Sequence, residues 1–258
     1  MSPIRQISLP IEVLDHIFSF LQSYPITLKA CTQSHPFLSQ FAERYLYSTI
    51  DLQEYHPALS NPHKVFELNQ LLLETPRIGS CVRTVTVWTN DDPRQDLSLT
   101  SSILHKLPLV KKITLFGCGE IPWEMLPETF RQAFLKCLGL PSMKELSVQY
   151  VTHFPLSALK ESNTIEVLKL VGWKCDPKMK IPEDTPVHPF PSIESLSIKS
   201  CESKSMRTIL PWLENIHSLS FLARRDFDVL PDLLACCSNH LTALELHVNG
   251  ICTSCPFD

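Results

Sequence analysis

The sequence of 258 residues lacks long apolar stretches, an excess of positive charge and a leader-like N-terminus. No apolar run approaches the ~18 residues that would indicate a membrane-spanning helix. Lysine and arginine number 23 against 27 acidic residues, a net charge of −4, which gives no electrostatic case for binding nucleic acid. The segment MSPIRQISLP has no continuous apolar core of the kind that signal peptides carry. We therefore expect a protein of the cytosol or the nucleus, with no membrane and no nucleic-acid partner.

Catalytic and nucleotide-binding motifs are missing too. The chain contains no GxSxG elbow, no phosphate-binding loop of the GxxxxGK[ST] type and no GxGxxG motif. The ten histidines are scattered, with no spacing that suggests a catalytic triad. We therefore expect a protein that is not an enzyme and needs no cofactor.

The ten cysteines are the remaining candidates for chemistry. Without a signal peptide we interpret them as free thiols, most of them small buried hydrophobic side chains. The best metal candidate combines Cys236 and Cys237 with Cys252 and Cys255. A zinc ribbon requires two CxxC pairs, and the adjacent Cys236 and Cys237 do not form one. We predict no metal site, although the sequence alone leaves open whether these four cysteines bind a metal.

The segment Leu9–Leu21, LPIEVLDHIFSFL, carries the sharpest functional signal. Pro10 and Glu12 both favour a helix start, since proline needs no hydrogen-bond partner there and negative charge complements the helix dipole. The apolar side chains of this helix cover roughly half of its circumference, whereas an arc of ~100° is enough to dock a helix on its own domain. Two further helices are predicted over residues 26–34 and 36–47. Surplus apolar surface on so small a helical unit indicates a partner helix or an adjoining domain.

These residues carry a resemblance. The segment LPIEVLDHIFSFL, followed by Leu28, Cys31, Phe37, Phe41, Leu46 and Tyr47, resembles an F-box, most closely the divergent F-boxes of fungal proteins. The resemblance covers roughly the first 50 residues. It implies a three-helix domain that docks on the Skp-family adaptor of SCF ubiquitin ligases and, through it, on a cullin-RING ligase. The adaptor-binding residues that it implies are Leu9, Pro10, Val13, Leu14, Ile17 and Phe18.

A second pattern fills the rest of the chain. An apolar–x–x–apolar–x–apolar motif occurs seven times at start-to-start spacings of 22 to 33 residues, beginning at Val82, Val110, Met143, Ile165, Ile193, Ile216 and Leu241. Leucine-rich repeats have ~20–29 residues and a similar motif, followed by Asn or Cys. That position holds Asn90, Cys118, Cys201 and Asn249 in four of the seven repeats. The pattern predicts stacked units with one strand each, although a general α/β domain with apolar parallel strands stays possible.

We therefore predict an α/β fold of two domains. Residues 1–50 form the F-box-like helical domain, and residues 51–258 form a leucine-rich-repeat-like solenoid with a parallel curved sheet and short back helices, similar to the irregular repeats that follow fungal F-boxes. A further short apolar run at 48–52 could start the sheet, and the five prolines within 174–191 predict an extended back element there. Four leucines should be fully buried: Leu146, Leu168, Leu196 and Leu244.

The resemblance implies the substrate-recognition subunit of an SCF-type ubiquitin ligase, with an unknown protein substrate held by the repeats. The alternative is a repeat scaffold that binds proteins without any ligase role. Because strand side chains alternate between faces, Trp88 and Phe116 should be neighbours on the open face of the sheet, beside a ladder of hydroxyl side chains. We predict this aromatic pair as a substrate-binding anchor.

Overall fold

Eight parallel strands form one open sheet in which the spatial order is the order of the chain. The computed structural model describes residues 9–53, 62–90, 96–162, 164–175, 193–210, 213–223 and 228–248. The strands are β1 (Thr49–Leu52), β2 (Thr84–Thr89), β3 (Lys112–Pro122), β4 (Glu145–Thr152), β5 (Val167–Val171), β6 (Ser195–Lys199), β7 (Ser218–Ala223) and β8 (Ala243–Val248). The prediction of parallel strands adjacent in sequence order is therefore confirmed, and the run at 48–52 supplies an additional first strand.

Helices connect the strands and cover one face of the sheet. The longer ones are α1 (Ile11–Phe20), α2 (Pro25–Ser34), α3 (Pro36–Leu46), α4 (Pro62–Glu74), α5 (Ser98–Leu104), α6 (Glu128–Leu138), α7 (Ser203–Ile209) and α8 (Leu230–Cys237), and 3-10 turns span Leu21–Ser23, Pro76–Cys81, Trp123–Met125 and Leu156–Glu161. None of the helices in the described ranges is long and apolar enough to cross a bilayer. The expected extended segment falls mainly on residues 176–192, which lie outside the described residues.

The start of α5 differs from the sequence expectation. The apolar spacing of the sequence predicts a short back helix over 101–107. In the structure the helix begins at Ser98, whose backbone N–H donates a hydrogen bond to the Asp96 carboxylate at 2.8 Å. An acceptor placed just before a helix satisfies one of its unpaired N–H groups. Apolar spacing cannot register such a bond, so the helix starts three residues earlier than predicted.

One apolar core runs through all the repeats. Alternate strand residues point to the helices, and the register aligns them in rows across the sheet. The row through the second strand position is buried at every strand from β2 to β7: Val85, Ile113, Leu146, Leu168, Leu196 and Leu219. This row confirms three of the four leucines predicted to be buried.

Leu244 is the exception, because it is 46% exposed. It continues the same row on β8, opposite Leu219. In the described part of the chain only β7 pairs with β8, so Leu244 has a neighbouring repeat on one side and lacks one on the other. A leucine in the motif is buried by the repeats on both of its sides, and the prediction failed because it assumed two neighbours everywhere.

Helices α1 to α3 form a separate small core. Leu14, Phe18, Leu28, Phe41 and Ala42 are buried together and form a cluster apart from the main one. The unit is joined to the sheet where α3 leads into β1 and where Arg77 forms a 2.9 Å ion pair with Glu43. A three-helix unit with five buried apolar side chains has little core of its own, so its position depends on this junction.

Candidate functional site

The outer side of the three-helix unit is the first candidate surface. Of the six residues predicted to bind an adaptor, Leu9, Pro10, Val13 and Ile17 are exposed; the exposed fractions of the last two are 42% and 43%. Leu14 and Phe18 are buried, at 8% and 3%, in the core that the unit shares with α2 and α3. These two residues therefore stabilise the unit and present no surface to a partner. The periodicity could not separate the two groups, because both lie in the same wide apolar arc.

The same three helices carry further exposed apolar residues that were not among the predicted adaptor-binding residues. Ile11, Phe20, Tyr24, Ile26 and Phe37 are all exposed, and Ile26 reaches 86%. Val13, Ile17 and Phe20 follow one another at spacings of four and three residues, which places them on one stripe of α1. We call the exposed apolar side chains of this unit the outer face: Leu9, Ile11, Val13, Ile17, Phe20, Tyr24, Ile26 and Phe37.

Several contacts hold the outer face in place from within. The ring of Phe18 stacks on Phe41, with the centroids 5.9 Å apart. The hydroxyl of Tyr45 donates a hydrogen bond to the backbone oxygen of Asp15 at 3.0 Å, which ties α3 to α1. His35 Nδ1 accepts from the backbone N–H of Phe37 at 3.1 Å and caps the start of α3. The unit is thus built as a fixed platform, although much of its apolar surface faces outwards.

The second candidate surface lies on the opposite face of the sheet from α4–α8. Trp88 and Phe116 stand opposite each other in the register of β2 and β3, and their ring centroids are 4.2 Å apart. Both side chains are half-buried. The indole N–H of Trp88 donates a hydrogen bond to the Asp51 carboxylate at 2.6 Å. The predicted neighbourhood of the two rings is therefore confirmed, and a carboxylate at one end of the pair is new.

Tyr150 extends this pair on β4. Its ring packs edge-on against Phe116, with the centroids 5.7 Å apart. The register of β3 against β4 shifts between Phe116 and Ile121, and this irregularity re-aims the chain. The strand alternation predicts Gln149 opposite Phe116, and the register confirms this. The alternation gives no sign of the additional contact with Tyr150, so sequence reasoning missed it. We call Trp88, Phe116 and Tyr150 the aromatic row.

Two glycines permit the position of Tyr150. Its φ of +56° lies in the left-handed region, which is unfavourable for a bulky residue. A Cβ on Gly172 would lie 2.7 Å from the Tyr150 ring, and a Cβ on Gly117 would lie 2.6 Å from the Tyr150 backbone oxygen. The chain has only six glycines. Two of them, Gly117 within β3 and Gly172 directly after β5, were the one signal that could have indicated a close approach here.

The hydroxyl ladder beside the aromatic row is less open than predicted. Thr114 and Ser147 retain only 9% and 2% exposure. Glu145 lies on the same face, 2.9 Å from Lys112 and 2.7 Å from Lys169. Burial raises the pKa of the Glu145 carboxyl, but the hydrogen bonds and charges of the two lysines outweigh it and hold that pKa below its ordinary value. The charged side chains in this part of the face therefore form ion pairs with one another.

Three glutamates form ion pairs with residues that follow Tyr150 and Gly172 in the chain. Glu120 and Glu202 share the ammonium group of Lys174, at 2.6 and 3.3 Å. Lys174 belongs to the segment after β5, two residues beyond the Gly172 that packs against the Tyr150 ring. Glu124 lies 3.4 Å from His153, just after β4. Asp51 therefore contacts the row directly at Trp88, and the Glu120–Lys174–Glu202 group follows Gly172, which packs against the Tyr150 ring. Lys199 lies in the same row of the sheet as Phe116, three strands away.

The cysteines show no metal centre in the described residues. No group of three or more His, Cys, Asp or Glu side chains is arranged to hold an ion there. Cys237 is buried, and burial raises the pKa of its thiol to about 11. Cys201 occupies the Asn or Cys position of the repeat motif, and its Sγ donates a hydrogen bond to the backbone oxygen of Leu170 on the preceding strand at 3.7 Å. Cys252 and Cys255 lie outside the described residues, so the candidate CxxC site has no structural test.

Comparison with known proteins adds no identification: no protein-family model and no curated protein matches the chain.

Proposed function

We propose that the chain is the substrate-recognition subunit of an SCF-type ubiquitin ligase. The three-helix unit would bind a Skp-family adaptor through its outer face, and the repeats would hold a protein substrate. The observation that carries the proposal is the outer face itself, with its large apolar side chains directed to solvent on a unit that has a closed core of its own. Apolar surface of this kind, outside a satisfied core, marks a protein-interaction site.

The F-box resemblance supplies the kind of partner. An apolar stripe at helical spacing suits another helix that lies along it, since anchors at i, i+4 and i+7 recur on one side. Val13, Ile17 and Phe20 have that spacing on α1. The binding residues that we propose are therefore Leu9, Pro10, Val13 and Ile17 together with Phe20, while Leu14 and Phe18 support them from inside.

The proposed chemistry is proximity alone. A receptor that holds a target lysine near the ubiquitin-charged enzyme raises the effective concentration of that lysine. The chain itself would contribute neither an acid, a base nor a nucleophile to the transfer. In this proposal the rigid array of repeats, with its strands in uniform register, sets the distance between adaptor and substrate.

The test is co-purification of the chain with a Skp-family adaptor. Ile17→Asp places a charge on the outer face, and we expect it to abolish capture. Ser19→Asp is the matched control, because it adds the same charge to the same helix at an exposed polar position. Both variants should keep the circular dichroism spectrum and melting temperature of the parent chain, since neither position is buried.

Capture of the adaptor by Ile17→Asp at parental strength would contradict the proposal, as would a parent chain that captures no adaptor. A second assay separates a ligase receptor from a protein-binding scaffold without ligase role. In a reconstituted SCF complex, a protein bound by the repeats should become ubiquitinated when this chain is included and should stay unmodified with the Ile17→Asp variant. A bound protein that is never modified would favour the scaffold.

A further inference from the structure

We propose that the aromatic row and the carboxylates around it bind a basic side chain, arginine or lysine, of a partner protein segment. This inference rests on the proposed function in so far as the segment belongs to the substrate. It names the chemical class of substrate that the repeats would select. The surface itself is defined by contacts of the described residues alone.

The rings provide the apolar and electrostatic part of the site. Trp88, Phe116 and Tyr150 form a continuous row across three strands, with centroid separations of 4.2 and 5.7 Å. All three side chains are half-buried, so each keeps part of its ring surface open to solvent. The face of an aromatic ring carries negative electrostatic potential and attracts ammonium and guanidinium groups. A row of rings can also pack along the alkyl part of a long basic side chain.

The left-handed backbone of Tyr150 favours a binding role for this ring over a role in core packing. A tyrosine at φ +56° costs conformational energy, and Gly117 and Gly172 are both required to make room for it. A core ring would be buried, whereas this residue is only half-buried near the end of β4. Strain at an accessible aromatic residue is typical of binding sites.

The charges favour a cation over any other ligand. Asp51 borders the row at Trp88, with its carboxylate held by the indole N–H at 2.6 Å and by the side-chain amide of Gln53 at 2.8 Å. At the other end two glutamates share the single ammonium of Lys174, which leaves that group of three with net negative charge. An acidic or phosphorylated segment would be repelled by these carboxylates, whereas a basic segment would add a second cationic or hydrogen-bonding partner to them. A basic side chain can form cation–π contacts with the rings and ion pairs with the carboxylates.

The experiment selects peptides on the purified full-length chain from a displayed library of random peptides, and then measures the affinity of the enriched peptides by fluorescence anisotropy. We expect enrichment of arginine and lysine. Three single variants address the site: Asp51→Asn keeps the acceptor for the indole N–H, Phe116→Leu removes one ring, and Tyr150→Asn replaces the ring by a residue that tolerates the left-handed conformation. Each should weaken the enriched peptides about tenfold.

Leu222→Ala is the matched control, because Leu222 lies in the same row of the sheet as Phe116 but four strands away. It should leave the affinity unchanged. Affinity should also fall with added salt, since the carboxylates contribute through screened charge. Enrichment of acidic or neutral peptides, no enrichment, or basic peptides that bind all three variants as tightly as the parent would each overturn the inference.

Adaptor capture is measured on the same preparations and keeps this inference separate from the proposed function. If the chain captures the adaptor but selects no basic peptide, the inference about the aromatic row is wrong and the proposed function still stands. If the chain selects basic peptides through the aromatic row but does not bind the adaptor, the row is a protein-interaction site and the proposed ligase function is wrong.

Discussion

Truncation of equivalent leucines in two repeats measures how much stability each leucine owes to its neighbours. Leu146 on β4 and Leu244 on β8 occupy the same row of the sheet, but the first is fully buried and the second is 46% exposed. In register, Leu146 stands between Ile113 and Leu168, which are also fully buried. The substitutions Leu146→Ala and Leu244→Ala therefore remove the same atoms from opposite environments.

The expected magnitudes follow from the burial. Leucine exceeds alanine by three carbon groups, and at ~0.8 kcal/mol for each buried group the lost transfer free energy is ~2.4 kcal/mol. At Leu146 a closed cavity adds to this, so the free energy of unfolding should fall by ~3–4 kcal/mol. At Leu244 about half of the side chain already contacts solvent and no closed cavity forms, so the loss should be ~1 kcal/mol.

Equilibrium unfolding in urea, followed by far-ultraviolet circular dichroism, measures both differences. The midpoint should shift much more for Leu146→Ala, with the denaturant slope unchanged in both variants. Equal losses would refute the reasoning, because they would mean that Leu244 is covered as completely as a leucine in the middle of the array. A small loss at Leu146 would refute the continuous core.

Three further predictions concern the open face and the core. Glu145→Gln should lower the free energy of unfolding by ~1 kcal/mol at neutral pH, since it leaves two lysines facing each other. Because the folded-state pKa of Glu145 is lowered, this loss of stability is complete above the ordinary pKa of 4.5 and disappears as the pH falls through the lowered folded-state pKa. Urea titrations at several pH values measure this dependence. Gly172→Ala should cost ~2 kcal/mol or more in thermal melts, because φ is +61° and the new Cβ would meet the Tyr150 ring at 2.7 Å. Burial raises the pKa of Cys137 to about 12, so a disulfide reagent at mildly alkaline pH should label Cys137 only after unfolding, as mass spectrometry of its peptides would show.

Each of these three has a control in the same fold. Glu166→Gln breaks an exposed pair with Lys144 and should change stability by less than ~0.5 kcal/mol at any pH. Gly139→Ala has its nearest contact at 3.5 Å without a positive φ, so it should melt close to the parent. Cys31 is half-buried and should react in the folded chain faster than Cys137. If a control variant changed in stability, or a control thiol in labelling, as much as the residue it is compared with, the physical reason given for that prediction would be wrong.

Much of the repeat fold was predictable because its signals are local. A strand with one buried face must alternate, and the apolar motif repeats at the interval needed to return the chain to the sheet. The strand order, the parallel direction and the neighbourhood of Trp88 and Phe116 followed from that motif and are present in the structure. Local patterns could not place the start of α5, where the backbone N–H of Ser98 donates a hydrogen bond to the Asp96 carboxylate.

The candidate surfaces were predictable only in part, for a physical reason. On α1 the sequence determined that apolar residues exceed what one contact needs, but the packing of α2 and α3 decided that Leu14 and Phe18 are inside while Val13 and Ile17 are outside. That choice depends on which neighbours approach the helix, and periodicity holds no information about them.

In the aromatic row, too, the sequence determined one contact and the tertiary structure determined the other. The alternation of β2 and β3 by itself determined that Trp88 and Phe116 share a face. Only the tertiary structure placed Tyr150 beside them, since that requires a register shift after Phe116, a left-handed backbone and the space left by Gly172 on the next strand. Sequence periodicity fixes the face to which a side chain points, whereas contacts between segments distant in the chain determine which side chains meet and how much of each remains exposed.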